Sequence, residues 1–301
     1  MQPFNLSDHP GFESWAEHKL SLYSQDRLRG FMEPVTIAHD GQLSADNLSL
    51  LIERIKGYNF CLYSVPDHQR FNSDSIRQLS QQIGLQALDA NLCASEDLIS
   101  IITDTSDSQE NSDKRKRYIP YSTKALSWHT DGYYNPFHQR VQAFVLHCQQ
   151  TASAGGENGF IDPEIIYLQL RRENPVFIEA LCADDVMRIP QNIQDGICIR
   201  PETASSVFQI SDDFSVLAMR YSQRKRHIIW RDDPITQQAL ECLQGLLNED
   251  AIWRINYRLQ NGQGVICNNV LHRRNAYEDD PGQHRVYIRA RYYNRIRSTV
   301  N

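Results

Sequence analysis

Residues 263–293 read QGVICNNVLHRRNAYEDDPGQHRVYIRARYY, and their pattern decides the fold class. An apolar run of strand length ends at His272, a turn-rich stretch (Glu278-Asp279-Asp280-Pro281-Gly282-Gln283) follows, and the chain from Arg285 to Tyr293 then alternates. Arg285, Tyr287, Arg289 and Arg291 fall on one strand face and Val286, Ile288 and Ala290 on the other, because successive side chains of a strand point to opposite sides. Proline and glycine suit a chain reversal, so the stretch predicts a hairpin that sets Arg285 on the strand adjoining His272.

Working outward, the same short β-branched or aromatic runs recur at 59–65, 141–147, 206–211, 216–221 and 253–259. Helical periodicity appears at 45–55, where Leu48, Leu51, Ile52 and Ile55 share a face and Gly57 is the expected stop. It appears again at 163–172 and 234–247, where Pro163 and Pro234 suit the first turn because proline lacks only a donor that would be unpaired there. Residues 103–116, TDTSDSQENSDKRK, have nothing apolar to bury and predict a mobile loop. Many strands with few βαβ alternations point to a mainly β protein, an antiparallel sandwich or barrel with flanking helices, in one domain.

Composition narrows the function classes. Of 301 residues, 41% are hydrophobic and 23% charged, and no apolar run approaches the roughly 20 residues of a membrane helix. The first residues have neither a basic nor an apolar region of a secretory signal, so the expected compartment is cytoplasmic. Seven cysteines without any CxxC indicate neither a disulfide framework nor a structural zinc site. A net charge of -6 argues against nucleic acid as the main partner. A homo-oligomer is compatible with all of this.

The strongest chemical signal is Leu126-Ser127-Trp128-His129-Thr130-Asp131-Gly132. Residues two apart on a strand project from one face, so His129 and Asp131 can converge on one ion while Thr130 points away. Imidazole with carboxylate suits a borderline divalent metal, and a second histidine, His272, ends the apolar strand of the C-terminal third. Two histidines and one carboxylate on one face of a metal form the facial triad of non-haem Fe(II) oxygenases. A guanidinium nearby would match the carboxylate of a dicarboxylate cosubstrate. The same ligands could hold zinc in a hydrolase, or serve a non-catalytic 2-oxoglutarate or metal sensor, and both readings stay open. His147 reads as a satisfied core histidine, His138 and His284 as surface residues, and Trp128, Tyr133 and Tyr134 as packing. The basic run 224–227 reads as a solvated edge, with a minority reading at the mouth of the site.

These residues resemble the Fe(II)- and 2-oxoglutarate-dependent oxygenases of the group containing taurine dioxygenase and clavaminate synthase, nearest in motif to γ-butyrobetaine and trimethyllysine hydroxylases. Besides the His129 motif the likeness rests on Tyr121, Leu146-His147-Cys148, Gly155-Gly156-Glu157, Leu271-His272-Arg273-Arg274, Tyr277 and Arg285. The resemblance implies a double-stranded β-helix, the cupin-like jelly-roll, at 118–301, preceded by a helical or mixed portion at 1–117 within a single domain 1–301. It implies Fe(II) held by His129, Asp131 and His272, with 2-oxoglutarate and O2 as cosubstrates, and the distal carboxylate of 2-oxoglutarate on Arg285. Asn158 stands where relatives place a threonine or serine touching the cosubstrate. Tyr121 matches a cage aromatic for trimethylammonium, but Arg291 occupies the place of another cage ring, which disfavours quaternary ammonium. Arg289 matches an arginine that binds an acidic group of the substrate, and Asn269 is counted with Tyr121, Arg289 and Arg291 among the substrate-binding residues. Asp131 argues against halogenation, since halogenating relatives carry glycine or alanine there. The expectation is a dioxygenase that hydroxylates a small, anionic metabolite and releases succinate and CO2.

Overall fold

Two facing sheets carry the chain. The computed structural model describes residues 2–90, 93, 97–106, 114–194, 196–224 and 228–296. The strands of the two main sheets are β1 (Val35–Thr36), β2 (Phe60–Ser64), β3 (Ser100–Ile102), β4 (Leu126–His129), β5 (Ala143–Gln150), β6 (Asn158–Ile161), β7 (Ile255–Tyr257), β8 (Gln263–Cys267), β9 (Leu271–Arg274) and β10 (Val286–Tyr292). One sheet runs β1-β2-β8-β5-β10-β3 and the other β7-β6-β9-β4. Only β1 and β2 pair in parallel; every other pairing in these sheets is antiparallel. The result is the jelly-roll class expected, and residues before Tyr118 supply three strands of its larger sheet as well as helices.

Both faces of the larger sheet are buried, and alternation sorts its side chains between two cores. Phe60, Leu62, Phe144, Cys148, Val265, Cys267 and Tyr287 point at the smaller sheet, where Phe60 stacks on Phe160 with ring centroids 5.3 Å apart. Cys61, Tyr63, Ala143, Val145, Ile266, Ile288 and Ala290 point the other way, against α3 (Ala45–Tyr58) and α4 (Ser73–Gln82). The helices α5 (Pro163–Glu173), α6 (Pro175–Cys182) and α7 (Pro234–Asn248) pack on one another, α1 (His9–Ser21) packs on α5, and α2 (Gln25–Met32) packs on β2.

Several expectations change. The hairpin after His272 does not form: β9 pairs with β4 and β6, while β10 crosses to the other sheet and pairs with β5 and β3. The turn of residues 278–283 therefore links two layers, and Arg285 reaches the site across the sandwich rather than from a neighbouring strand. α3 runs through Gly57 to Tyr58 and stops at Asn59, whose left-handed φ of 59° lets its N–H bond the Ile55 carbonyl at 2.9 Å. A further helix, α6, follows α5 directly, capped by Asn174. The N-terminal α1 is not legible from periodicity because it buries only Phe12, Ala16 and Lys19. Of the loop at 103–116, residues 107–113 lie outside the described residues, as do 225–227 of the basic run. No helix among the described residues is long and apolar enough to cross a membrane.

Candidate metal centre

Sheet register brings the two histidines together. His129 ends β4 and lies directly opposite His272 of β9, their rings 4.2 Å apart between centroids. Thr130 turns away as alternation requires: its N–H reaches the Tyr221 carbonyl at 3.0 Å and its hydroxyl accepts from the Tyr221 N–H at 3.1 Å. Asp131 therefore faces the histidines, and one ligand atom from each of His129, Asp131 and His272 lies within 4.8 Å of the others. Both Nε2 atoms stand 4.0 Å from Asp131 Oδ1, too far for a hydrogen bond and spaced to share an ion bound at about 2.0–2.2 Å.

The donor set is prepared for a cation. His129 Nδ1 is 2.8 Å from the Ser127 carbonyl and His272 Nδ1 is 2.9 Å from the Val270 carbonyl, so each Nδ1 carries the proton and each Nε2 presents its lone pair. Burial, then the neighbouring His272, pushes His129 down to about 3, and burial lowers His272 as well, so both imidazoles are neutral at pH 7. Burial alone would raise the Asp131 carboxyl, but Arg289 and then Arg291 hold it well below the usual carboxylate range. Two neutral imidazoles and one carboxylate suit Fe(II).

A cleft beside these ligands is lined by Ile102, Leu126, Phe144 and Leu146 on its apolar side and by Asn158, Arg273, Arg274, Arg285 and Arg289 on its polar side. Arg285 is 3% exposed, its guanidinium lies over the Tyr287 ring at 3.5 Å and the Tyr277 ring at 5.0 Å, and its Nε and Nη1 have no partner. The Nδ2 of Asn158, also buried, has none either. Orphaned buried donors in one cleft fit a carboxylate-bearing ligand. Arg289 Nη1 is 3.1 Å from both Asp131 oxygens, leaving its Nε unpartnered.

Three expected substrate contacts fall elsewhere. Arg291 is paired with Asp89 and reaches Tyr134 Oη at 3.3 Å, so its charge is already met. Asn269 spends its side chain on backbone: Oδ1 accepts the Asp131 N–H at 2.8 Å, and Nδ2 donates to the Asp131 and Val141 carbonyls at 2.9 and 2.7 Å. Tyr121 is buried with its hydroxyl on the Cys93 carbonyl at 3.5 Å, and Pro120 rather than Tyr121 lines the cleft.

His147 is a core histidine on the far face of the larger sheet but not a fully satisfied one, since its Nδ1 meets Tyr63 Oη at 3.2 Å while its buried Nε2 has no partner; His138 and His284 are exposed, as their sequence contexts suggest. Sequence reasoning missed Arg274, which donates to the carbonyls of Pro120, Ser122 and Lys124 and so pins the segment before β4. No local signal could reveal that role, because its partners lie 150 or more positions upstream. Phe144, 4.8 Å from the His272 ring, was likewise visible only as a core residue.

The family model described as taurine catabolism dioxygenase TauD, TfdA family matches residues 29–291. A uridine-5'-phosphate dioxygenase from Streptomyces sp is 25% identical over 180 residues, covering 58% of this chain and 64% of that protein. The gamma-butyrobetaine dioxygenase of Homo sapiens is 23% identical over 167 residues, 53% of this chain and 42% of that one. The chain thus spans less than two thirds of the length of these relatives. Among solved structures, the non-heme iron oxygenase OrfP in complex with Fe, succinate and (3R,4R)-dihydroxy-L-Arg superposes with a TM-score of 0.60 at 14% identity, covering 86% of this chain and 83% of that one. At that identity the likeness is one of fold.

Proposed function

The chain belongs to the taurine catabolism dioxygenase TauD, TfdA family, and on that premise we propose that it is an Fe(II)- and 2-oxoglutarate-dependent dioxygenase that hydroxylates a C–H bond of a small, anionic metabolite. The observation that carries this reading is the convergence of His129, Asp131 and His272, with the unpartnered Nε and Nη1 of Arg285 in the same cleft. In the overall reaction 2-oxoglutarate, dioxygen and a substrate C–H become succinate, carbon dioxide and an alcohol, one oxygen atom entering each of succinate and product. Fe(II), which His129, Asp131 and His272 would hold, would supply the activation of dioxygen.

The chain's own residues do the rest. His129 and His272 keep their Nε2 lone pairs inward through their Nδ1 bonds to backbone. Arg285, packed against the Tyr287 and Tyr277 rings, binds the distal carboxylate of 2-oxoglutarate, and the Asn158 amide donates to the same ligand. Arg289, with a free Nε and a place in the cleft, orients an acidic group of the substrate. Ile102, Leu126 and Phe144 give the cleft an apolar wall beside these charges. A zinc hydrolase would need a general base; apart from the ligands, the titratable groups lining the cleft are Arg273, Arg274, Arg285 and Arg289.

The test is succinate release by iron-loaded protein with 2-oxoglutarate, ascorbate and a metabolite panel. Release above a His129→Ala control is expected, and its absence across the panel would sink the reading. Arg285→Gln is expected to weaken 2-oxoglutarate binding by about tenfold or more while leaving Mn(II) affinity intact. An unchanged 2-oxoglutarate affinity would remove Arg285 from the site.

A further inference from the structure

Beyond the catalytic cleft lies a second group of arginines with no acidic partner. The chain leaves Asp131 through Gly132 into a loop at residues 133–140, and three guanidiniums converge on it. Arg220, 4% exposed, donates through Nη2 to the carbonyls of Tyr133 and Asn135 at 2.7 and 2.6 Å. Arg200 donates to the Tyr134 carbonyl at 3.4 Å and the Pro190 carbonyl at 2.8 Å. Arg140, at the end of the loop, donates to Gln209 Oε1 at 2.9 Å and lies over the exposed Phe137 ring at 4.7 Å.

Each guanidinium has five N–H donors and spends at most two contacts here, all on neutral oxygens. Among the described residues none of the three forms an ion pair. In and around this group, the buried polar atoms without a partner among the described residues are Arg220 Nε, Arg220 Nη1 and Gln209 Nε2. All three are donors, so what completes them must accept, and what offsets three unopposed cations must be negative. Burial, followed by the charges of Arg140 and Arg200, pushes Arg220 down to about 10, as expected of a cation buried beside like charges with no counter-charge. Simple backbone bracing does not require three cations; neutral donors would serve the same carbonyls.

We propose that Arg140, Arg200 and Arg220 form an oxyanion site for the phosphate group of a phosphorylated substrate, separate from Arg285 and Arg289 in the cleft. This rests on the reading of the chain as a small-molecule oxygenase and names the class of substrate: a phosphate monoester whose oxidised carbon reaches the metal while its dianion sits behind the 133–140 loop. A dianion matches the excess positive charge better than a single carboxylate, and guanidinium forks match its oxygens.

The test uses the full chain at constant ionic strength, with inorganic phosphate, uridine-5'-phosphate and uridine as probes, read by calorimetry and thermal unfolding. Phosphate is expected to raise Tm, and uridine-5'-phosphate to bind about tenfold or more tightly than uridine. The Arg140→Gln/Arg200→Gln double variant, at half-buried positions, is expected to lose both effects while keeping its 2-oxoglutarate affinity; Arg285→Gln should do the reverse. Phosphate raising Tm through the same arginines, with no nucleotide preference, supports the site and places its ester elsewhere than on uridine. A phosphate response that is absent, that survives the double variant, or that vanishes with Arg285→Gln instead overturns the proposal. Succinate release is measured independently, so failure of the oxygenase reading leaves the phosphate result legible.

Discussion

The family resemblance groups Asn269 with the substrate contacts, yet every polar atom of its side chain is committed to backbone: the Asp131 N–H and carbonyl and the Val141 carbonyl. Its backbone is left-handed at φ 49°, a conformation asparagine tolerates better than most residues. It is a positioning residue that fixes the strand turn bearing Asp131 relative to the strand bearing His272, three positions on. Asn269→Gly tolerates the same φ but removes the three hydrogen bonds, and Mn(II) affinity is expected to fall about 10–100-fold. A lowered Tm with unchanged Mn(II) affinity would make the role structural only. His147 offers a separate check on burial. Burial pushes it down to about 3, against about 6.5 when unfolded, so the unfolded chain binds the extra proton between those values. Its contribution to stability is present above about pH 6.5 and lost as pH falls toward 3, at about 1.4 kcal/mol per pH unit. His147→Phe should flatten the pH dependence of unfolding by that slope; an identical slope would show that His147 is protonated in the folded protein.

At the scale of elements, β4 and its following turn carry the centre. The turn works because Gly132 is left-handed at φ 64°, and a Cβ there would meet Val141 Cγ2 at 2.5 Å. Val141 is also the residue whose carbonyl Asn269 holds, so pushing it away disturbs the Asp131 turn from both sides. Gly132→Ala is expected to cost about 2–4 kcal/mol in chemical denaturation and to weaken metal binding with it. Stability within about 0.5 kcal/mol of the parent would mean that the turn relaxes freely. Strand and helix types in the C-terminal half were legible because β-branched runs and proline-led helices state their periods locally, as at Pro163 and Pro234. The partner of β10 was not legible. A Pro-Gly turn looks the same whether the chain folds back in its own sheet or crosses to the opposite one, and the choice depends on strands β3 and β5, far away in sequence.

Across the whole molecule, the N-terminal region is joined to the jelly-roll core through buried charge. Lys19 of α1 lies 2.5 Å from Asp162 and 2.6 Å from Glu164 at the start of α5, with Asn59 donating to Asp162 at 3.0 Å and Arg295 reaching Asn59 at 2.6 Å. Removing the cation leaves two carboxylates buried together, so Lys19→Met is expected to lose about 3–5 kcal/mol of stability without changing 2-oxoglutarate affinity. A loss below about 1 kcal/mol would show that the carboxylates find other partners or protonate at little cost. By itself the sequence determined the strand-rich character of the C-terminal half, the sharing of one strand face by His129 and Asp131, and the alternation that separates Arg285, Arg289 and Arg291 from Ile288 and Ala290. These follow from the two-residue period of a strand, which needs no knowledge of neighbours. Only the tertiary structure decided which arginines stay free to meet an anion. Arg291 is neutralised by Asp89, 202 positions away, and Arg289 spends its Nη1 on Asp131, 158 away, while keeping its Nε free, whereas Arg285, Arg140, Arg200 and Arg220 meet no carboxylate. Whether a cation is satisfied depends on what packs within a few ångströms of it, and that is set by the crossing of the two sheets rather than by the residues beside it in the chain.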